Sequence, residues 1–236
     1  MLNFQNADSL ATANQAVSTD GTVVTEKTLS IWELLTSGGL GGQLIMIVLG
    51  ILFFVAIYLY IERSMSLKAA SKIDKGFMNQ IREHVVHRRF DNAKLLCQHT
   101  NSPVARLIEK GISRIGRPLE DINTAIENAG KLEIYNLEKN VSILATISGA
   151  GPMIGFLGTV VGMILAFHEI ASGGGQIEVG ALASGIYTAM TTTVVGLIVG
   201  IFAYIGYNHL VVKTDKIVNQ MEANAVEFLD LLNDPV

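Results

Sequence analysis

A single cysteine, Cys97, stands in the whole chain, so no internal disulfide can form and no thiolate cluster can hold a metal. It lies in a stretch expected to face a reducing compartment, and its expected role is that of a small buried side chain. Only 16% of the residues are charged, and the formal net charge of −4 leaves no excess of cations to neutralise phosphates. Nucleic acid is therefore not an expected partner. No cleavable secretory leader is expected either, because residues 1–30 are rich in Asn, Gln, Ser and Thr with Lys27 as their only cation. The first apolar run is then expected to act as an uncleaved insertion signal.

The most consequential absence is of charge over three long stretches. No charged residue lies between Glu33 and Glu62, none in residues 141–167, and none in 179–212 apart from the weakly basic His209. Each run exceeds the roughly 20 residues that cross a hydrocarbon core of about 30 Å. At about 1.5 Å per residue, the second and third make helices longer than the bilayer is thick, so they tilt or project into water. The fold class expected is an all-α membrane protein with three transmembrane helices, the second and third extended into the cytoplasm, together with a cytoplasmic helical domain.

Cations set the orientation. Fourteen of the seventeen Lys and Arg lie between Glu62 and Asn140, Lys213 and Lys216 follow the third run, and Lys27 alone precedes the first. By the positive-inside rule residues 62–140 and the C-terminus face the cytoplasm. The expected division is a periplasmic tail with an interfacial helix (1–39), a first transmembrane helix (40–61), the cytoplasmic helical domain (62–140), a second transmembrane helix (141–167) and a periplasmic loop (168–180). A third transmembrane helix (181–210) and a cytoplasmic C-terminal helix (211–236) complete it. Tyr58, Tyr60, Tyr204 and Tyr207 fit an aromatic belt at the inner interface.

Within the polar segments, Leu29, Ile31, Trp32, Leu34 and Leu35 can share one side of a short interfacial helix. From Arg63 to Asn140 apolar residues recur at three and four: Ile73, Phe77, Ile81 and Val85, then Val104, Leu107, Ile108, Ile112 and Ile115, then Ile122, Ala125, Ile126 and Leu132. Asn101-Ser-Pro103 and Gly116-Arg-Pro118 interrupt this array, and Pro118 suits the first turn of a helix able to run through Leu137 into the second span. Ile217, Met221, Val226, Phe228 and Leu232 describe one more amphipathic helix. His84 and His87, with His99 nearby, lack the further ligands of a structural zinc site and read as solvated or salt-bridging histidines, so no metal is expected. Gly173-Gly-Gly175 lacks the Gly-Lys-Ser/Thr of a phosphate loop and reads as a hinge.

Small residues crowd the second and third runs. Gly151 and Gly155, Gly158 and Gly162, and Gly196 and Gly200 are each four apart, the spacing that lets helix backbones approach closely in lipid. With Pro152 as a kink, these positions imply a tight bundle. Thr188, Thr191, Thr192 and Thr193 occupy several sides of the third run, and Thr159 lies in the second. Two readings stay open for them: each hydroxyl bonds back to the carbonyl one turn earlier, or some line a hydrated ion path. No Asp, Glu, Lys or Arg lies at membrane depth, so a proton relay here would need a carboxylate from another chain.

The segment Gly149-Ala-Gly-Pro152-Met-Ile-Gly155-Phe-Leu-Gly158-Thr159-Val-Val-Gly162-Met resembles the second-helix signature of the MotA/TolQ/ExbB family of proton-channel subunits. Ala183-Ser-Gly185-Ile-Tyr-Thr188-Ala-Met-Thr-Thr-Thr193-Val-Val-Gly196-Leu197 resembles the third-helix signature of its ExbB and TolQ branch. The resemblance implies a subunit of the bacterial inner membrane, most like ExbB. A pentamer of it would surround helices of an ExbD-like partner with an intramembrane Asp, and proton flow would energise transport through a TonB-like protein. It assigns Thr159 and Thr193 to face that Asp, with Thr188 and Thr192 in the same path. Thr188 stands where well-known ExbB and TolQ sequences carry a glutamate. A TolQ-like envelope-maintenance motor and a non-conducting scaffold are the alternatives. Neither a catalytic constellation nor a cofactor motif is present, so no enzyme and no cofactor are expected.

Overall fold

The structure is a computed structural model that describes residues 40–71, 76–172 and 179–233, and all regular elements among them are helices. They are α1 (Leu40–Ala70), α2 (Phe77–Val86), α3 (Phe90–His99), α4 (Pro103–Ile112), α5 (Leu119–Glu138), α6 (Val141–Ser172) and α7 (Val179–Asn233). Three stretches, in α1, in α5 with α6, and in α7, are long and apolar enough to cross a membrane. Within the uncharged runs of α1, α6 and α7, apolar side chains cover the helix all round. Leu49 and Ala56 of α1 are buried, whereas Leu44, Ile47 and Phe54 face outward, the pattern of a helix whose solvent is lipid.

Side-chain neighbours give the helix directions. Gly42 lies beside Thr188, Tyr60 beside Gly206, and Ser64 accepts a hydrogen bond from Lys213, so α1 and α7 run parallel. Ser148 lies against Gly200 and Gly162 against Ala189, so α6 is antiparallel to α7. With 55 residues, α7 is about 80 Å long and extends far beyond any hydrocarbon core. Its second half carries a helical domain built from α2 to α5. The core there joins Phe77, Ile81, Val104, Ile108, Ile112 and Ile126 to Met221 and Phe228 of α7. Gly111 makes that contact possible, because a Cβ on it would lie 2.6 Å from the Phe228 ring.

Local chemistry explains the helix ends. Ser102 caps α4 by accepting from the Ala105 amide at 3.1 Å, with Pro103 in the first turn. Gly116 takes a φ of +95° and Pro118 caps α5, so both interruptions read from the sequence are present. A further one lies at Arg88, whose φ of 56° separates α2 from α3.

Three expectations need correction, and three others fall outside the described residues. The helix expected to run from Pro118 into the second span ends at Glu138: Lys139 turns extended and Asn140 adopts a φ of 64° before α6 begins. Asparagine tolerates the left-handed region, so no glycine or proline announced the joint. Leu132, expected on the apolar side of α5, is 62% exposed, and Glu133 is buried instead. Its carboxylate accepts from Arg106 Nε at 2.8 Å and Nη2 at 2.6 Å, and this bidentate pairing raises the Arg106 pKa further against the opposing effect of burial. The C-terminal amphipathic stretch is no separate helix, since α7 continues through it with Val226 exposed. The interfacial helix, Ile73 and the Gly173–Gly175 hinge lie outside the described residues.

Cys97 is buried, and desolvation, followed by the charge of Glu109, pushes its thiol up to about 12. The thiol therefore stays protonated at neutral pH. Maleimide labelling at pH 8 is expected to be roughly a hundredfold slower in the folded protein than in denaturant. Equal rates in the two states would show that the site is open.

Candidate ion-path site

The contact between α6 and α7 is glycine on backbone. A Cβ on Gly155 would lie 2.8 Å from the Thr192 carbonyl oxygen and 3.0 Å from Gly196 Cα, and one on Gly196 would lie 2.7 Å from the Gly151 carbonyl oxygen. Gly162 meets Ala189, Gly158 meets the Thr192 side chain, and Gly200 meets the Pro152 ring. Pro152 has no N–H, so the carbonyl of Ser148 loses its usual donor one turn on. That carbonyl sits 3.0 Å from where a Cβ of Gly200 would be, so α7 covers it with glycine.

Close approach lets the threonines bond across the interface. Thr159 Oγ1 donates to the Ala189 carbonyl at 3.1 Å, and Thr193 Oγ1 donates to the Gly155 carbonyl at 3.1 Å. Gly155 lies four residues before Thr159 and Ala189 four before Thr193. Each hydroxyl thus takes the carbonyl that the other threonine would ordinarily bond within its own helix. The two hydroxyls also contact each other. Thr192 Oγ1 reaches Ala189 O at 2.7 Å and Gly155 O at 3.1 Å.

Among the threonines singled out from the sequence, the structure makes distinctions. Thr159 and Thr193 are brought together, half-buried, at the α6–α7 seam. Thr192 is 2% exposed and packs inside that seam, so it has no open face on this chain. Thr188 is half-buried one turn away, beside Gly42 of α1. Thr191 bonds back to the Tyr187 carbonyl at 3.0 Å, which is the local pattern. Sequence reasoning missed the Gly155 and Ala189 carbonyls, whose only signal was their place four residues before Thr159 and Thr193.

Three hydroxyls make five contacts here but carry three protons, so rotation of one can shift the whole network. Every member is neutral. The network can accept from a carboxylic acid or donate to a carboxylate, but it has no group that titrates near neutral pH. Among the described residues no group of three His, Cys, Asp or Glu side chains could hold a metal, and His87 Nδ1 lies 2.9 Å from the Glu83 carbonyl.

Fold and site thus define a class: a membrane helix bundle with a hydroxyl-lined seam and no intramembrane charge of its own. Comparison with known proteins sharpens it. The model of the MotA/TolQ/ExbB proton channel family matches residues 99–223. The Tol-Pal system protein TolQ of Pseudomonas aeruginosa is 25% identical over 223 residues, which cover 88% of this chain and 94% of that protein. An ExbB homolog of Methanothermobacter thermautotrophicus, described as a biopolymer transport protein, is 29% identical over 121 residues, 51% of this chain and 42% of that protein. The biopolymer transport protein ExbB of Helicobacter pylori is 36% identical over 80 residues, 34% of this chain and 54% of that protein. This chain belongs to the MotA/TolQ/ExbB proton channel family.

The glycine contacts are testable through stability. Gly155→Val puts carbon against backbone that cannot swing aside, so the helices must part, at a cost of about 3 kcal/mol or more. Gly50→Ala, with nothing within 4 Å of its Cβ position, is expected to be neutral or slightly stabilising. Thermal unfolding in detergent reads both, and equal melting temperatures for the two variants would refute the close-contact account.

Proposed function

We propose that this chain is an ExbB-like subunit of a motor in the bacterial inner membrane, driven by the proton-motive force. In this reading it works with an ExbD-like single-span partner and energises TonB-dependent transport across the outer membrane. The observation that carries the proposal is the paired Thr159 and Thr193 hydroxyls at a half-buried seam within two apolar runs, residues 141–167 and 179–212, that contain no carboxylate. A charge alone at membrane depth is costly, so a titrating Asp on a partner helix needs neutral donors and acceptors that suit both of its protonation states. Two hydroxyls backed by carbonyls supply them. The chain itself is read as non-enzymatic, with the N-terminus periplasmic, residues 62–140 and the C-terminus cytoplasmic, and five copies around the partner.

A TolQ-like motor serving envelope maintenance is the second reading. End-to-end similarity to TolQ proteins favours it, because the ExbB relatives match over shorter parts of this chain. Complementation separates the two: rescue of TonB-dependent uptake in cells lacking ExbB supports the first, and rescue of envelope integrity in cells lacking TolQ supports the second.

The site is tested in the same cells. Thr159→Val with Thr193→Val is expected to lower the proton-driven rate at least tenfold, about 1.4 kcal/mol or more in barrier, while membrane level and assembly stay normal. Thr191→Val, which removes a hydroxyl bonded within its own helix, is expected to leave the rate unchanged. Wild-type rates in the double variant would instead favour a non-conducting scaffold.

A further inference from the structure

Arg63 is 8% exposed although it carries a full charge. Its Nη1 reaches only the Asn136 carbonyl at 3.5 Å, its Nε lies 3.8 Å from a Glu62 carboxylate oxygen, and Nε has no hydrogen-bond partner. Thr214 on α7 is 3% exposed, and its hydroxyl has no partner either. The two lie at one level. Lys213 Nζ donates to Ser64 Oγ at 3.2 Å, and each of these is the chain neighbour of one orphaned residue.

Helical spacing turns both side chains into the same junction. Leu59, Arg63 and Leu67 follow one another at intervals of four on α1, while Leu210, Thr214 and Ile217 share one face of α7. All four flanking apolar residues belong to one core cluster with Leu137 of α5 and Val141 and Leu144 of α6. A guanidinium and a hydroxyl therefore enter an apolar junction where four helices meet: the hydroxyl is unpartnered there, and the guanidinium has a buried Nε without a hydrogen bond beside one long bond to Asn136 and a 3.8 Å approach to Glu62. A buried charge is costly unless it is paired and hydrogen-bonded.

The ligand chemistry follows from what the junction lacks. Water would satisfy hydrogen bonds but not the charge, whereas a phosphate oxygen answers both, and the guanidinium fork matches phosphate well. Around the junction Arg63, Lys68, Lys139, Lys213 and Lys216 outnumber Glu62, Glu138 and Asp215. Glu62 would oppose an anion, but its side chain is 39% exposed and can turn to water. Arg63 comes two residues after the uncharged run ends, one turn beyond Tyr58 and Tyr60, which is the depth of lipid headgroups. Ile61 and Met65 are exposed on either side of it, and acyl chains can lie against them.

We propose that Arg63 and Thr214 form a site for a phosphate-bearing anion at the α1–α5–α6–α7 junction, filled by the headgroup of an anionic phospholipid. The test uses the full chain, purified in neutral detergent and stripped of lipid, with bound lipid counted by native mass spectrometry and melting followed in parallel. Phosphatidylglycerol is expected to bind and to raise the melting temperature, and diacylglycerol, which has no phosphate, to do neither. Arg63→Met is expected to lower phosphatidylglycerol binding at least tenfold, Thr214→Val about threefold, and Lys94→Ala, which changes a distant exposed cation, not at all. If inorganic phosphate alone gives the same stabilisation and phosphatidylglycerol adds nothing, the anion site stands and its ligand is free phosphate. Should Arg63→Met fail to fold, the wild-type comparison still decides. Equal responses to phosphatidylglycerol and diacylglycerol, with none to inorganic phosphate, would overturn the proposal, as would undiminished lipid binding in a folded Arg63→Met protein.

Discussion

The approach of α6 to α7, so close that backbone touches backbone, is the constraint from which the rest of the membrane region follows. Lipid provides no hydrophobic drive between apolar helices, so their association rests on packing and on polar contacts. Gly151, Gly155, Gly158 and Gly162 on α6 and Gly185, Gly196 and Gly200 on α7 supply the packing. The polar contacts are a consequence of it: only because no side chain intervenes can Thr159 reach the Ala189 carbonyl and Thr193 the Gly155 carbonyl. A larger residue at Gly155 would therefore separate the helices and dismantle the hydroxyl network in one step.

That network is neutral by construction, and its neutrality fits the helices around it. Wide apolar surfaces of α1, α6 and α7 face outward, including Phe54, Met153, Phe156, Ile164 and Ile201. A fixed carboxylate among them would carry a large desolvation cost with no cation nearby to offset it. Hydroxyls avoid that cost while remaining able to stabilise a carboxyl group in either state. In our reading the charge is present only where a partner brings it. At the other end of the molecule the balance reverses: the Arg106 and Glu133 pair is bonded twice over, while Arg63, more deeply buried than Arg106, has only a 3.5 Å bond to the Asn136 carbonyl and a 3.8 Å approach to Glu62, with its Nε unbonded.

Much of this was legible from the sequence because it depends on local composition. Uncharged runs of more than 20 residues announced three long helices, and the four-residue glycine spacing named the faces that meet. Ser102-Pro103 and Gly116-Arg-Pro118 carry their own stop and start signals. What stayed hidden depends on partners distant in the chain. Leu132 and Glu133 exchange the places that periodicity suggests because Arg106, 27 residues away, pairs with Glu133. The joint at Asn140 uses a residue that is ordinary in a helix as well as tolerant of positive φ. The threonines divide by which side of α7 meets α6, and a cluster of three consecutive threonines cannot reveal that by itself.

The two helices of the seam differ in how they connect to the rest of the fold. From Thr193 to Phe228, α7 is one unbroken rod of about 50 Å by its rise per residue, and Phe228 is fully buried in the helical domain. A tilt of α7 at the threonines is therefore carried into that domain by the helix itself. The α6 helix has no such continuity, because Lys139 and Asn140 interrupt the backbone before α5 packs along the same domain. Displacement of α6 can be taken up by changes of φ and ψ at those two residues, as hinges do at the ends of elements. One side of the seam is thus a lever and the other is jointed. On the function proposed above, a change at the paired hydroxyls would reach the helical domain through α7, while the joint would let α6 follow without unpacking α5.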